Sequence, residues 1–138
     1  MDAFPLKALK PRHAILSGEP DCASLDILLA PFLWDGQIVD TSIRLDGIGL
    51  PSVHLADLAG KSFAFPCNPE EGYIDGSIYL GSRHHPVDVT ALSFPRARDG
   101  GLSVVVKGTY LFDPWCEWLA ELRHAPLAFG VRVSSGAV

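Results

Sequence analysis

Apolar and polar side chains alternate along much of the chain, and this pattern predicts a protein built from β-strands. From Val39 to Leu45, Val39, Thr41, Ile43 and Leu45 alternate with polar or charged residues, which is typical of a half-buried antiparallel strand. The preceding segment 25–34 is also strand-like, but Pro31 interrupts it and confines it to an edge or a bulge. Because Asp35-Gly36 suits a two-residue turn, we expect 25–34 and 39–45 to form a β-hairpin.

Further extended segments follow towards the C-terminus. Short strands are predicted around Phe63 and Phe65 and over 78–80, and longer ones over 87–94 and 102–112. Gly108 lies inside the last of these and indicates a bend or bulge. The segment 53–60 fits either a strand end or one helical turn closed by a glycine.

The hydrophobic period changes near the C-terminus, where it predicts one amphipathic helix over 114–124. Asp113 is a good N-cap and Pro114 suits the first helical position. The apolar side chains recur at helical spacing, at Trp115, Trp118, Leu119 and Leu122. A last strand is expected after Pro126, where apolar residues alternate again.

These elements predict a mainly β fold, with α+β as the alternative class. We expect a single domain of about six to eight mostly antiparallel strands, arranged as a sandwich or a partly open barrel. With 138 residues the chain has room for one ordinary domain. Residues 1–23 contain three prolines and little periodicity, so we expect a partly ordered N-terminal arm with a short strand around Ala14 to Leu16. The β-rich globular domain would then span 24–138.

Charge is distributed unevenly along the chain. The net charge is −5, and residues 14–76 carry ten acidic side chains against only Arg44 and Lys61. An acidic surface repels phosphate backbones, and the sequence has no basic stripe, so we expect no nucleic-acid partner. A basic protein is the partner that this charge favours, unless the acids only solvate loops and outward strand faces.

Several sequence features bear on compartment and cofactors. No apolar run approaches the about 20 residues of a membrane span, so no membrane partner is expected. An acidic residue and a broken apolar run at the N-terminus are unlike a signal peptide, which predicts a cytoplasmic protein. Cys22, Cys67 and Cys116 are widely spaced, so we expect buried free thiols, no disulfide framework and no cysteine zinc knuckle. No cofactor is predicted.

Reactive side chains concentrate between residues 73 and 90. The candidate binding residues are Asp75, Tyr79, Arg83, His84, His85 and Asp88. Neighbouring residues on an extended chain point to opposite faces, so the two histidines bind one metal together only if the turn before Pro86 twists them.

Three interpretations of this segment remain open. One histidine with Asp75 and Asp88 would form a nitrogen and oxygen ligand set suited to zinc or iron. A mixed polar and aromatic surface of Arg83, His84 and Tyr79 would suit a protein partner instead. The plainest interpretation is a polar turn that leads into the next strand.

Sequence motifs of common enzymes are missing. The chain has no G-x-S-x-G, P-loop, G-x-G-x-x-G or H-E-x-x-H pattern, and we assign no catalytic residue and no metal ligand. We therefore expect a non-catalytic protein-binding module, similar in role to an immunity protein or an adaptor, that uses an acidic surface. The alternative is a metal- or small-ligand-binding β-barrel or enzyme with its site around Asp75, His84, His85 and Asp88. A homo-oligomer formed through an exposed sheet edge near residues 25–34 is a third interpretation.

Overall fold

The computed structural model describes residues 4–112 and 124–136. Within them, short helices and strands follow one another in this order: a 3-10 turn at Leu6–Ala8, β1 (Pro11–Glu19), β2 (Cys22–Leu29), β3 (Phe32–Trp34), β4 (Gln37–Val39), β5 (Ser42–Ile48), α1 (Leu55–Leu58), β6 (Ser62–Ala64), β7 (Asp75–Leu80), β8 (Arg83–Ser93), β9 (Ser103–Leu111) and β10 (His124–Ser135). The predicted mainly β, single-domain fold is confirmed.

Seven of the strands form a closed barrel. Going around it, the order is β1, β2, β5, β7, β8, β9 and β10, and β10 pairs with β1 again. Every neighbouring pair is antiparallel except β1 and β10, which run parallel. The short strand β6 adds to β8 outside the ring, and β3 pairs with β4 in a separate two-stranded ribbon.

The barrel interior is filled by the apolar positions of the alternating pattern. Along β2 and β9 every second side chain is buried, as period-two alternation requires when one face of a strand is packed. Fully buried members of this core include Leu25, Ile27, Ile43, Leu45, Ile78, Val89, Val104 and Val106. The alternation predicted for 102–112 and for 127–133 is therefore the alternation between core and surface.

The predicted N-terminal arm is wrong for Pro11–Glu19, which form β1 within the barrel. Ala14 and Leu16 point into the core and are buried, so the strand predicted around them is correct but too short. Because only these two side chains of the strand are fully buried, its apolar signal is weak. Its neighbour β10 lies at the far end of the sequence and gives no local cue.

The helix predicted over 114–124 lies outside the described residues, except for its last residue. His124 is the first residue of β10 and pairs with Leu111. The final strand thus begins before Pro126, which lies opposite Thr109. The β1 ladder reaches β10 only at Val133, so the missing N–H of the proline interrupts no pairing with β1.

The hairpin predicted around Asp35-Gly36 is confirmed. Both residues have positive φ, 51° and 76°, as a two-residue turn of type I′ requires. Pro31 separates β2 from β3, so the hairpin continues from the barrel pair β2 and β5 as its own ribbon of β3 and β4.

The two ends of the barrel are closed differently. At the end that carries the β3–β4 ribbon, which we call the hairpin end, the Phe4 ring makes edge contacts with Phe32, Trp34 and Phe112 at centroid distances of 6.0, 5.4 and 6.1 Å. At the other end the segment 49–74, which contains α1, contributes the fully buried side chains of Leu50, Leu58 and Ile74 to the core. Of the two predictions for 53–60, the helical turn is therefore correct, and Gly60 follows it with φ of 75°.

Gly108 marks a close approach between β8 and β9. The register of the two strands shifts between Val89 and Ala91, which lie opposite Gly108 and Lys107. The pairing is therefore irregular at Gly108 as predicted, but the extra residue, Thr90, lies in β8 and not in the strand of Gly108. A Cβ atom on Gly108 would collide with the carbonyl oxygen of Asp88. Only glycine lets the two backbones come this close.

Replacing Gly108 with alanine is expected to lower the free energy of unfolding by about 1–3 kcal/mol, because the added methyl group pushes two paired backbones apart. Gly49→Ala is the matched control, since a Cβ there has no atom within 4 Å and φ is not in the left-handed region. Urea unfolding followed by tryptophan fluorescence measures both variants. Equal midpoints would contradict the close approach.

Tyr110 predicts a loss of stability at alkaline pH. Its ring stacks on Phe112 and is 5% exposed, and this burial raises the pKa of the phenol to about 12. The unfolded chain releases that proton near pH 10 and the folded chain does not. The free energy of unfolding should therefore fall between about pH 10 and about pH 12, by up to about 1.4 kcal/mol per pH unit.

The variant Tyr110→Phe removes this ionisation, so its stability should decline less than that of the wild type over the same range. Tyr79→Phe is the control, because Tyr79 is 49% exposed. Unfolding free energies at about pH 9 and about pH 11 measure the difference. Identical declines in wild type and Tyr110→Phe would show that the buried phenol does not set the alkaline limit.

Candidate functional site

The β7–β8 hairpin brings two of the predicted site residues into contact on the barrel surface. Its turn is Gly81-Ser82, with φ of 57° and 64°, and Tyr79 lies directly opposite His84. The two rings are 4.9 Å apart and tilted by 54°. Both side chains are exposed, as is neighbouring Arg83, so the polar and aromatic surface predicted here exists as a geometric feature.

His85 faces the opposite way and belongs to the core. It is 0% exposed, its Nε2 lies 3.1 Å from the Leu80 carbonyl oxygen, and its ring meets Phe112 edge-on at 5.6 Å. The predicted opposite orientation of His84 and His85 is therefore confirmed. The two histidines share no surface on which they would bind one ligand.

Asp75 and Asp88 lie apart from the Tyr79–His84 pair. They flank the Gly76–Val87 register pair on adjacent strands, towards the other end of the barrel. Asp88 accepts a hydrogen bond from the Asn68 amide at 3.2 Å. Within 4–112 and 124–136, no three His, Cys, Asp or Glu side chains are arranged to hold a metal ion. The structure thus does not assemble the ligand set proposed from sequence.

The two described cysteines are free thiols, but the prediction that they are buried is wrong. Cys22 and Cys67 are both exposed, and Cys116 lies outside the described residues. Asp88 raises the pKa of the Cys67 thiol, because a thiolate would lie beside its carboxylate. A raised pKa makes this thiol less reactive at neutral pH.

The β3–β4 ribbon carries an apolar surface that the sequence analysis did not identify as a site. Its inner face packs on the core through Phe32, Trp34 and Val39. On its outer face Leu33 and Ile38 form a cross-strand pair, and they are 66% and 69% exposed. Together with Tyr79 they are the exposed large hydrophobic residues of the described chain.

A cleft of about 510 Å³ separates the ribbon from the β7–β8 turn. It is lined by residues 34, 35, 37–41 and 79–82. The Thr41 hydroxyl donates a hydrogen bond to the Tyr79 carbonyl oxygen at 2.8 Å and so joins the two sides. The volume falls in the range of about 300–1,000 Å³ that small-ligand sites occupy.

The alternation of side chains in the predicted hairpin indicates that Leu33 and Ile38 share one side of the ribbon. In a type I′ hairpin around Asp35-Gly36, Leu33 and Ile38 must face the same side of the ribbon. Apolar residues lie on both sides, however, with Phe32 and Trp34 opposite Leu33. Sequence alone therefore does not show which side packs on the barrel and which side faces solvent.

Acidic side chains of residues 14–76 are spread over the barrel. Asp26, Asp46 and Asp75 lie on the outer face of consecutive strands, where Arg44 donates to Asp46 at 3.0 Å and lies opposite Asp26. Asp40 is at the hairpin end, beside the cleft. The acidic segment thus contributes carboxylates both to the barrel wall and to the cleft.

Comparison of the chain with family models, with curated proteins and with solved structures gave no match. None of the helices among the described residues has both the length and the apolar character needed to cross a membrane. Function is therefore inferred from the geometry of this chain alone.

Truncation of the two neighbouring histidines should affect stability very differently. His85→Ala removes a buried ring and its hydrogen bond, and we expect it to lower the free energy of unfolding by about 2 kcal/mol or more. His84→Ala removes an exposed ring and should change it by less than about 0.5 kcal/mol. Urea unfolding measures both, and a stable His85→Ala protein would contradict the placement of His85 in the core.

Proposed function

We propose that this chain is a non-catalytic protein-binding module, similar in role to an immunity protein or an adaptor, that binds a basic protein with its hairpin end. The observation that carries the proposal is the exposed pair Leu33 and Ile38 on a ribbon whose other face is packed on the core. The surface also includes Tyr79 and its neighbour His84.

Apolar exposure supports the choice of this surface. Single exposed hydrophobic side chains are common on proteins, but large ones grouped together mark interaction surfaces. Leu33 and Ile38 are paired across the ribbon, and Ile38 shares the cleft with Tyr79. Burying such area against a partner contributes roughly 25 cal/mol per Å² of apolar surface.

Charge supports the choice of partner. The chain carries a net charge of −5, and Asp35 and Asp40 line the cleft beside the apolar pair. A basic protein would be attracted to this end, and the attraction would accelerate association at low salt. Nucleic acid would be repelled by the same charges.

The proposal is tested with the double variant Leu33→Ser/Ile38→Ser, with Ala64→Ser/Ala128→Ser as control. The control replaces two exposed apolar residues on β6 and β10, away from the hairpin end. A partner captured stoichiometrically from lysate of the source organism is identified, purified and titrated calorimetrically against all three proteins. We expect a basic partner whose affinity falls at least tenfold, about 1.4 kcal/mol, for the hairpin variant only.

Affinity should also fall as salt rises from low to physiological concentration, because the charges are then screened. Equal binding by the two double variants would overturn the assignment of the hairpin end. Absence of any stoichiometric partner would overturn the protein-binding role. Sedimentation of the wild type as a dimer that the hairpin variant abolishes would replace a basic partner with a second copy.

A further inference from the structure

The cleft at the hairpin end is lined by acidic, aromatic and apolar residues together. Asp40 and Ile38 line it from the ribbon side, and Tyr79 and Ser82 line it from the β7–β8 turn. Asp40 directly precedes Thr41, whose hydroxyl is bonded to the Tyr79 carbonyl oxygen. That bond fixes the backbone of Asp40 next to the strand that carries the Tyr79 ring.

The Asp40 carboxylate is available for a ligand. Asp40 is exposed, and among the described residues its side chain forms no hydrogen bond and no ion pair. This distinguishes it from Asp46, which accepts from Ser24 at 2.7 Å and from Arg44 at 3.0 Å. A carboxylate gains most from a positively charged donor, because hydrogen bonds between ionised groups are shorter and stronger than neutral ones.

Arginine matches these groups better than other side chains. Its planar guanidinium pairs with a carboxylate through two hydrogen bonds and also stacks on an aromatic ring. Its aliphatic stem covers apolar surface such as that of Ile38. Lysine offers a compact and strongly hydrated charge without the planar geometry.

Other occupants fit less well. An anionic group would be repelled by Asp40, and a purely apolar anchor would leave the carboxylate unpaired. A second copy carries the same net charge of −5. A twofold contact uses the same patch on both copies, so two acidic surfaces would repel each other there.

We therefore propose that the cleft is an arginine-anchor site, in which a guanidinium of the partner lies between the Asp40 carboxylate and the Tyr79 ring. This inference rests on the proposed function and specifies the chemistry of its partner. The partner would present an exposed arginine to the cleft while its apolar side chains cover Leu33 and Ile38.

The site is tested directly with a short peptide, so that no partner needs to be known. The ¹⁵N-labelled full chain is titrated with acetyl-Gly-Arg-Gly-amide and with the same peptide containing citrulline, which keeps the shape of arginine but has no charge. We expect saturable shifts of the Thr41, Tyr79 and Ser82 amides with the arginine peptide, and affinity at least fivefold weaker with citrulline.

Variants separate this site from general attraction to an acidic protein. Asp40→Asn and Tyr79→Leu should each weaken binding of the arginine peptide at least fivefold. Asp75→Asn is the matched control, because it removes an exposed carboxylate at the opposite end of the strand that carries Tyr79, and it should leave binding unchanged. The amide spectrum of each variant shows whether the fold is retained.

Equal binding of the two peptides, or equal effects of Asp40→Asn and Asp75→Asn, would overturn the arginine site. So would the absence of saturable shifts at the cleft. The outcome is distinguishable from failure of the proposed function: a partner that loses affinity for Leu33→Ser/Ile38→Ser but not for Asp40→Asn would leave the hairpin surface standing and remove the arginine anchor.

Discussion

The parallel pairing of β1 with β10 is the constraint on which the barrel depends. The seven barrel strands follow the chain in order, and each runs opposite to the one before it. Because their number is odd, the first and the last run in the same direction, so closure requires a parallel pair. That pair is short, with three register positions from Ala14 and Val133 onwards, and it is completed by Gly136 donating to the Leu16 carbonyl and by His13 bonding Ser134 at 2.7 Å. Without it, β1 and β10 would present unpaired backbone groups along their edges.

Closure also determines where a binding surface is available. Each of the seven barrel strands is paired on both sides over part of its length, and the interior is filled with apolar side chains, so binding through a barrel edge or lumen is disfavoured. The accessible apolar surface comes from a segment that leaves the barrel, between Pro31 and Asp40. The inner side of that ribbon is occupied by the Phe4 contacts that close the barrel end, and the Leu33 and Ile38 side chains on its outer side are exposed. The β3–β4 ribbon that closes this end of the core therefore also exposes Leu33 and Ile38.

Local features of the sequence predict the local features of the fold. Asp35-Gly36 locates the hairpin, and alternation locates β9 and β10, because turn chemistry and pleat are properties of neighbouring residues. The strand predicted around Ala14 to Leu16 is too short, and its pairing with β10 is not predicted at all. That partner lies 121 residues away at the His13–Ser134 contact, and no turn joins a parallel pair. The site likewise has features that depend on neighbouring residues and features that depend on distant contacts. The Tyr79–His84 contact follows from a hairpin register, whereas exposure of Leu33 depends on which face of the ribbon meets Phe4, a contact between distant parts of the chain.

Net charge alone is a poor guide to the acidic surface, because the carboxylates have different surroundings. Asp46 and Asp75 are direct register partners on adjacent strands, an arrangement of like charges that costs stability. Ser24 and Arg44 offset this cost by donating to Asp46, so that carboxylate already serves the barrel wall. Asp40 has no such donor among the described residues and lines an open cleft together with Tyr79. At the hairpin end, a carboxylate whose hydrogen-bonding capacity the fold has not used thus coincides with the exposed apolar surface, and this coincidence is why we propose that end for recognition.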